Sequence, residues 1–227
     1  IAILISLQAT AQLTVNTSAT GLTLANTLLG PGVQATNVTL QNASLSTGTF
    51  TNSGTTGFPF NNGIVLSTGQ VNHMNDTSLY HNSTDLGLPG NSLIDAIVAP
   101  YLSRDAVVLE FDFTCASDSV EFEFIFSSEE YNDYANSAMV DAFGFFVSGP
   151  GYAPNTNVAL IPGTNIPINV NTINNGHSQG TSSGPCTNCA YFVDNVGTGA
   201  VELSPDGFTV PMKIKFAVYP CATYHFK

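Results

Sequence analysis

The fold is decided by residues 106–126, AVVLEFDFTCASDSVEFEFIF. Apolar and acidic side chains alternate in each half of this stretch, which is the two-residue period of a strand with one buried face and one wet face. Residues 115–118, between the two halves, have the length and composition of a hairpin loop. We therefore expect two antiparallel strands, 106–114 and 119–126, that pair with each other and keep their Phe rings in the core.

Similar segments recur along the rest of the chain. Gly and Asn interrupt it at roughly ten-residue intervals, and the segments between are rich in Val, Ile, Thr, Phe and Tyr, which is typical of a β-sandwich or jelly roll. Pro211 limits the last of these segments to an edge or a bulged start. Further strands are predicted at residues 63–67, 142–148, 157–161, 190–194 and 207–219.

Helical spacing of apolar residues is confined to residues 23–29 and 93–101. Asn91 or Ser92 could cap the second segment, and Pro100 would close it. Residues 128–139 are expected to form one more helical turn or a long loop. The sequence thus predicts an all-β sandwich of jelly-roll or lectin-like type with a few short helical turns.

Residues 1–11 resemble the end of a secretory signal peptide. Residues 1–7 are apolar, and the A-x-A pattern that ends at Ala11 predicts cleavage there, with a mature chain that begins at Gln12. A first buried strand is the alternative interpretation of the apolar run. No other apolar run reaches about 18 residues, so no transmembrane span is expected. Residues 12–227 are expected to form a single domain.

Acidic residues dominate the charge of the chain. Sixteen Asp and Glu face four Lys and Arg, for a net charge of −12, and ten of the acids lie between residues 105 and 141. This balance argues against nucleic acid and anionic membrane as partners, and it favours cations. Any function carried by charge is therefore expected in the middle third.

The densest polar cluster follows the second of the two decisive strands. Its carboxylates and amides could supply the oxygen ligands that Ca²⁺ takes, although no EF-hand spacing is present. Two alternatives stay open: the acids are simply solvated or capping groups, or two of them are the paired carboxylates of a glycan-active hydrolase. The candidate ligands are Glu129, Glu130, Asp133, Asn136 and Asp141.

Four cysteines predict two disulfides in an exported chain. Cys186 and Cys189 form a C-x-x-C in a loop-like stretch, without the helical context of a redox motif or the second ligand pair of a zinc site. We therefore favour a local bridge between these two and a long-range bridge between Cys115 and Cys221. The other pairings stay open.

An ordered series of motifs in this chain resembles the choice-of-anchor L domain of bacterial surface proteins. The resemblance covers nearly all of residues 12–227. The motifs that carry it are LLGPGV at 28–33, GIVLSTG at 63–69, DAVVLEFDF at 105–113, DSVEFEFIFSSEEY at 118–131, DAFGFFVSGPG at 141–151, NVALIPGT at 157–164 and DGFTV at 206–210.

The resemblance implies a non-catalytic binding, adhesion or display module of a secreted or surface-anchored protein. It also implies a Bacteroidetes-type host, an extracellular glycan or protein as ligand, and an anchoring or type IX sorting segment C-terminal to this one. A glycan-active hydrolase and a purely structural spacer are the alternatives.

The chain departs from the family pattern at two points. Val140 stands where the family usually has Asn, which removes one oxygen ligand from the predicted cation site. The family's last segments would follow Lys227, so we expect the sandwich to lack a C-terminal strand or two.

Overall fold

The computed structural model describes residues 13–30, 33–42, 45–54, 57–74, 84–176, 185–196 and 200–227. Strands predominate and confirm the all-β class, whereas the predicted signal segment 1–11 lies outside the described residues. The strands are β1 (Leu13–Asn16), β2 (Gln34–Gln41), β3 (Thr47–Asn52), β4 (Asn62–Leu66), β5 (Val108–Thr114), β6 (Ser119–Phe124), β7 (Ser127–Ser128), β8 (Ala142–Phe143), β9 (Phe146–Gly149), β10 (Tyr152–Asn157), β11 (Ile168–Asn169), β12 (Phe192–Asp194), β13 (Gly207–Thr209), β14 (Met212–Ala217) and β15 (Thr223–Phe226).

The largest sheet has the strand order β10-β9-β15-β5-β2, and every neighbouring pair in it is antiparallel. β5 and β15 are central because both alternate buried aromatic and polar residues. Smaller sheets have the orders β1-β3-β4, β12-β13-β7, β11-β8 and β14-β6.

The predicted hairpin between β5 and β6 is wrong. Both strands form where the period predicts them, but β6 pairs with β14, and residues 115–118 lead from one sheet to another. Charge gives the physical reason. A β5–β6 pair would set two rows of acids on one face, whereas β14 brings Lys213 within 2.8 Å of Glu121 and 3.2 Å of Glu123. Opposite charges across strands are favourable and like charges are not.

The sheets that contain β5 and β6 meet at one aromatic core. Phe122 of β6 lies at its centre, with its ring centroid 4.9 Å from that of Phe145, 5.1 Å from Phe226 and 6.3 Å from Phe216. Phe226 belongs to β15 and Phe216 to β14, so one ring contacts both sheets. The face-to-face contact agrees with a layered β fold, and the jelly-roll subtype stays a prediction.

Three other predicted strands differ in extent or position. Residues 142–148 are divided into β8 and β9, and residues 207–219 into β13 and β14 at Pro211, which cannot donate to a ladder. The predicted strand at residues 157–161 is wrong. Asn157 is instead the last residue of β10, and no strand begins there. The reason is Asn157, whose Oδ1 accepts from the backbone N–H of Phe145 and of Ala159 and turns the chain there.

The helices follow their capping signals. Helix α1 (Gly21–Leu28) starts after Thr20, whose hydroxyl accepts from the Thr23 N–H. Helix α2 (Ser92–Val98) confirms Asn91 as its cap, since Asn91 Oδ1 accepts from the Leu93 N–H at 3.0 Å. None of the described helices is both long enough and apolar enough to cross a bilayer.

Replacing Phe122 by Ala should cost about 3–5 kcal/mol of unfolding free energy, because it removes a buried ring with three aromatic neighbours. Leu102→Ala is the control, since Leu102 is 79% exposed and its loss should change stability by about 0.5 kcal/mol or less. Urea titration of both variants measures the difference. Equal costs for the two would contradict the central place of Phe122.

Candidate functional site

The cluster predicted from sequence lies in the segment that joins β7 to β8. We call residues 129–141 the acidic connection. Its first end is fixed by β7, which pairs with β13, and β13 pairs in turn with β12. Its second end is fixed by β8, which pairs with β11. The connection is therefore held at both ends by backbone ladders, and it forms a long loop of turns, one of the two alternatives that the sequence predicts.

Tyr131 anchors the start of the connection in a second apolar core. The residue is fully buried, and its ring centroid is 4.8 Å from that of Phe192 and 6.2 Å from that of Phe126. Gly207 on β13 makes room for it, because a Cβ there would lie 2.7 Å from the Tyr131 ring. The glycine of the DGFTV motif thus has a packing role.

Ser128 links the two ends of the connection. Its hydroxyl donates to Asp141 Oδ2 at 2.7 Å and accepts from the Glu130 N–H at 2.9 Å. The neighbouring Glu129 is held separately, since its Oε1 accepts from the Ser204 hydroxyl at 2.6 Å. Two carboxylates are thus fixed by neutral hydroxyl donors.

Asn171 holds the far half of the connection. Its side-chain oxygen accepts from the Asn136 N–H at 2.6 Å, and its amide nitrogen donates to the Ser137 carbonyl at 3.0 Å. Asn136 has a φ of 63°, in the left-handed region that Asn tolerates better than most residues. Earlier in the loop, the buried Asn132 donates to Asp194 Oδ1 at 2.9 Å.

The carboxyl groups of the connection disfavour one another's ionised forms. Burial raises the pKa of Glu130 above its ordinary value, and the charges of Asp141, Glu129, Asp133 and Asp206 raise it further. Burial also raises the pKa of Asp141, against the hydrogen bond from Ser128 that lowers it. The site is electronegative, and no described basic side chain contributes to the shift at Glu130.

The predicted ligands are only partly brought together. Glu129, Glu130, Asp133 and Asp141 interact through their charges, whereas Asn136 is exposed on the Asn171 side. In the described part of the chain, no three His, Cys, Asp or Glu side chains are arranged to hold a metal ion. Calcium at this position stays a prediction.

Sequence reasoning missed Asp206 as a member of this group. It lies 65 residues beyond Asp141 in the chain and reaches the connection because β13 pairs with β7. The DGFTV motif was the available signal, but a motif does not reveal which strand lies beside it.

The outer side of the connection presents apolar side chains to solvent. Tyr134 is 46% exposed and Met139 is 56% exposed, and Asn136 lies between them in sequence and is also exposed. We call these three exposed residues the tip. Residues between them are held in place, Ala135 by burial and Ser137 by the hydrogen bond from Asn171 to its carbonyl.

The cysteines behave in two ways. Cys186 and Cys189 form the predicted local disulfide. The second predicted bridge stays a prediction: Cys115 and Cys221 are unbonded in the structure, the first buried and the second exposed. They are nevertheless neighbours, because the Cys221 N–H donates to the Cys115 carbonyl at 2.7 Å.

Comparison with known protein families shows which family the chain belongs to. The family model of the Choice-of-anchor L domain matches residues 12–227. The chain belongs to this family. Membership agrees with a surface or extracellular module, and this choice-of-anchor L domain matches no curated protein and no solved structure.

Glu130→Gln should stabilise the domain at pH 7, by on the order of 0.5 kcal/mol. Because the folded pKa of Glu130 lies above its ordinary value of 4.5, folding takes up a proton between those two pKa values. The penalty of its charge is therefore full above the folded pKa and vanishes below pH 4.5. The gain should shrink accordingly as pH falls, in urea titrations across pH 4–8.

Glu121→Gln is the matched control with the opposite sign. A hydrogen bond from Lys213 lowers the pKa of Glu121, so its charge stabilises the fold at neutral pH and stops doing so in acid. A stability change of the same sign in both variants at pH 7 would contradict the assignment of repulsion to the acidic connection.

Proposed function

We propose that this domain is a non-catalytic extracellular module that displays the tip of the acidic connection to a ligand. The observation that carries the proposal is the contrast in side-chain exposure within one short segment. Tyr131 is fully buried, whereas Tyr134 and Met139, a few residues on, are 46% and 56% exposed. A rigidly held loop that exposes an aromatic and a thioether side chain costs little entropy when it binds.

The tip has a composition suited to recognition. Tyr offers an apolar ring with a polar hydroxyl and is enriched where proteins bind partners. Met adapts its shape to different apolar surfaces. Asn136 adds an exposed amide between them. An extracellular glycan or protein fits these groups, and the net charge of −12 disfavours polyanions.

The hydrogen bonds of the acids support a framework role for them. Asp141 and Glu129 accept from the hydroxyls of Ser128 and Ser204, so both are occupied within the fold. A glycan-active hydrolase would need two of these carboxylates to face a substrate cleft.

The proposed setting is a secreted or surface-anchored bacterial protein. Family membership and the Cys186–Cys189 disulfide support an oxidising, extracellular location. The signal peptide at residues 1–11, a Bacteroidetes host, a type IX sorting signal and a C-terminal anchor are parts of the proposal that rest on sequence resemblance alone.

A variant with Tyr134→Ser and Met139→Ser should lose at least about tenfold in affinity for the ligand, because it removes both exposed apolar groups from the tip. The probes are a glycan array and immobilised extracellular matrix proteins. Surface plasmon resonance on the positive probe then measures the change in Kd.

The matched control replaces Leu22 and Tyr219 by Ser. These side chains are 51% and 63% exposed and lie outside the acidic connection. Their replacement should leave the affinity unchanged. An equal loss in both double variants, or no binding of the unmodified chain to any probe, would overturn the display proposal and favour a structural spacer.

We further propose that a cation, with Ca²⁺ as the candidate, neutralises the acidic connection. Two observations support it. Burial raises the pKa of Glu130, and the charges of four neighbouring carboxylates raise it further. The Tyr131 hydroxyl is buried without a hydrogen-bond partner among the described residues; burial raises its pKa, and the charge of Asp141 raises it further. A bound cation would relieve the repulsion and accept the phenol oxygen as a ligand.

Ca²⁺ at about one hundred times its Kd should raise Tm by roughly 5–10 °C, since binding to the folded state alone adds stability by mass action. Differential scanning fluorimetry with Ca²⁺, with chelator, and with NaCl at matched ionic strength measures the shift. Glu130→Gln with Asp141→Asn should abolish it. A shift that NaCl reproduces, or none at all, would exclude the cation.

A further inference from the structure

Two cysteines that are far apart in sequence meet at one end of the largest sheet. Cys115 follows the last residue of β5, and Cys221 precedes the first pair of β15, in which Thr223 lies opposite Thr114. The Cys221 N–H donates to the Cys115 carbonyl at 2.7 Å. The bond lengths on either side of this contact keep the two Cα atoms within about 6.6 Å of each other, below the upper limit of about 6.8 Å for a disulfide.

The side chains of both cysteines also reach the same space. Cys115 and Cys221 line one open pocket at this end of the domain. The Cys115 thiol is buried and donates weakly to the Ser117 carbonyl at 3.7 Å, whereas Cys221 is exposed.

The backbone conformation of Cys221 gives a second, independent reason to expect a bond between these two cysteines. The Ala222 N–H donates to the Tyr219 carbonyl at 3.1 Å, which closes a turn with Pro220 in its second position. Cys221, in the third position, has a φ of 62°. This is the arrangement of a type II turn, whose third position favours Gly because side chains crowd the backbone there. A cysteine at this position therefore has an unfavourable backbone conformation, and the stability gained from a disulfide would offset its free-energy cost.

We propose that Cys115 and Cys221 form a second disulfide, which joins the turn before β15 to the end of β5. Cys186 and Cys189 are already bonded to each other, so these two are each other's remaining partners among the four cysteines. The bridge closes a loop of more than a hundred residues, whereas the existing bridge spans a sequence separation of 3. Long loops gain most from cross-linking, because the unfolded chain loses more freedom.

The bridge forms by two thiol–disulfide exchanges with a disulfide oxidant such as oxidised glutathione. The exposed Cys221 loses its proton, and its thiolate attacks the oxidant, which gives a mixed disulfide and releases one glutathione thiolate. The Cys115 thiolate then attacks Cys221 Sγ, which forms the Cys115–Cys221 bond and releases the second thiolate. Two protons pass to the two leaving thiolates, and two electrons reduce the oxidant.

The first test identifies the bond. The full chain is refolded with oxidised and reduced glutathione, blocked with iodoacetamide without reduction, digested and analysed by mass spectrometry. We expect a linked pair of peptides that contain Cys115 and Cys221, and no alkylation of either. Alkylation of both in the folded, oxidised chain, or a link from either to Cys186 or Cys189, would overturn the proposal.

The second test separates the effect of the disulfide on stability from the effect of the turn conformation at Cys221. In a Cys186→Ser, Cys189→Ser background, Tm should fall by on the order of 10 °C when reductant is added. Cys221→Gly in the same background should be at least as stable as its parent under reductant, since Gly suits the turn, and less stable under oxidant. Equal Tm values of the parent with and without reductant would overturn the proposal.

Discussion

The contact between Phe122 and Phe226 across two sheets is the constraint on which the rest of the fold depends. The ring centroids are 5.1 Å apart, and Phe145 and Phe216 surround the pair. For Phe122 to reach this position, β6 must leave the plane of β5 after residue 114 and lie opposite it. The short linker at residues 115–118 therefore acts as a crossing between layers, and β6 must find its partner elsewhere in the chain, on β14.

The same crossing determines where the acidic connection lies. β6 continues through Phe124 into Phe126, which packs on Tyr131 in the second apolar core. Phe124 and Phe143 contact both cores, and their ring centroids are 5.0 Å apart, so the strands before and after the connection are joined by one aromatic contact. The connection is thus a loop closed at its base by apolar packing, which leaves its outer side free for a ligand.

The sequence predicted local structure better than it predicted pairing. The alternation in residues 106–126 located β5 and β6 and their buried faces, and the capping signal at Asn91 located α2. Partners were missed because a two-residue period specifies a face and not a neighbour. The strands β1, β2 and β3 were also missed, because Thr, Asn and Gln outnumber the few apolar residues in their sequences and their order depends on pairing with other strands.

The same distinction applies to the site. The local run of acids located Glu129, Glu130, Asp133 and Asp141, whereas Asp206 and Ser204 come from a distant segment that only tertiary pairing brings close.

The scarcity of basic residues explains the chemical character of the site. The chain has four Lys and Arg, and Lys213 and Lys227 form ion pairs on strand faces, with Glu121, Glu123 and Glu110. At the acidic connection, Ser hydroxyls hold Asp141 and Glu129 instead. Neutral donors fix a carboxylate in place without cancelling its charge, so the charges of Asp141 and Glu129 add to the effect of burial in raising the pKa of Glu130. The fold therefore keeps an electronegative base beneath an apolar tip, and a ligand that carries a positive or neutral polar group beside an apolar face would complement both.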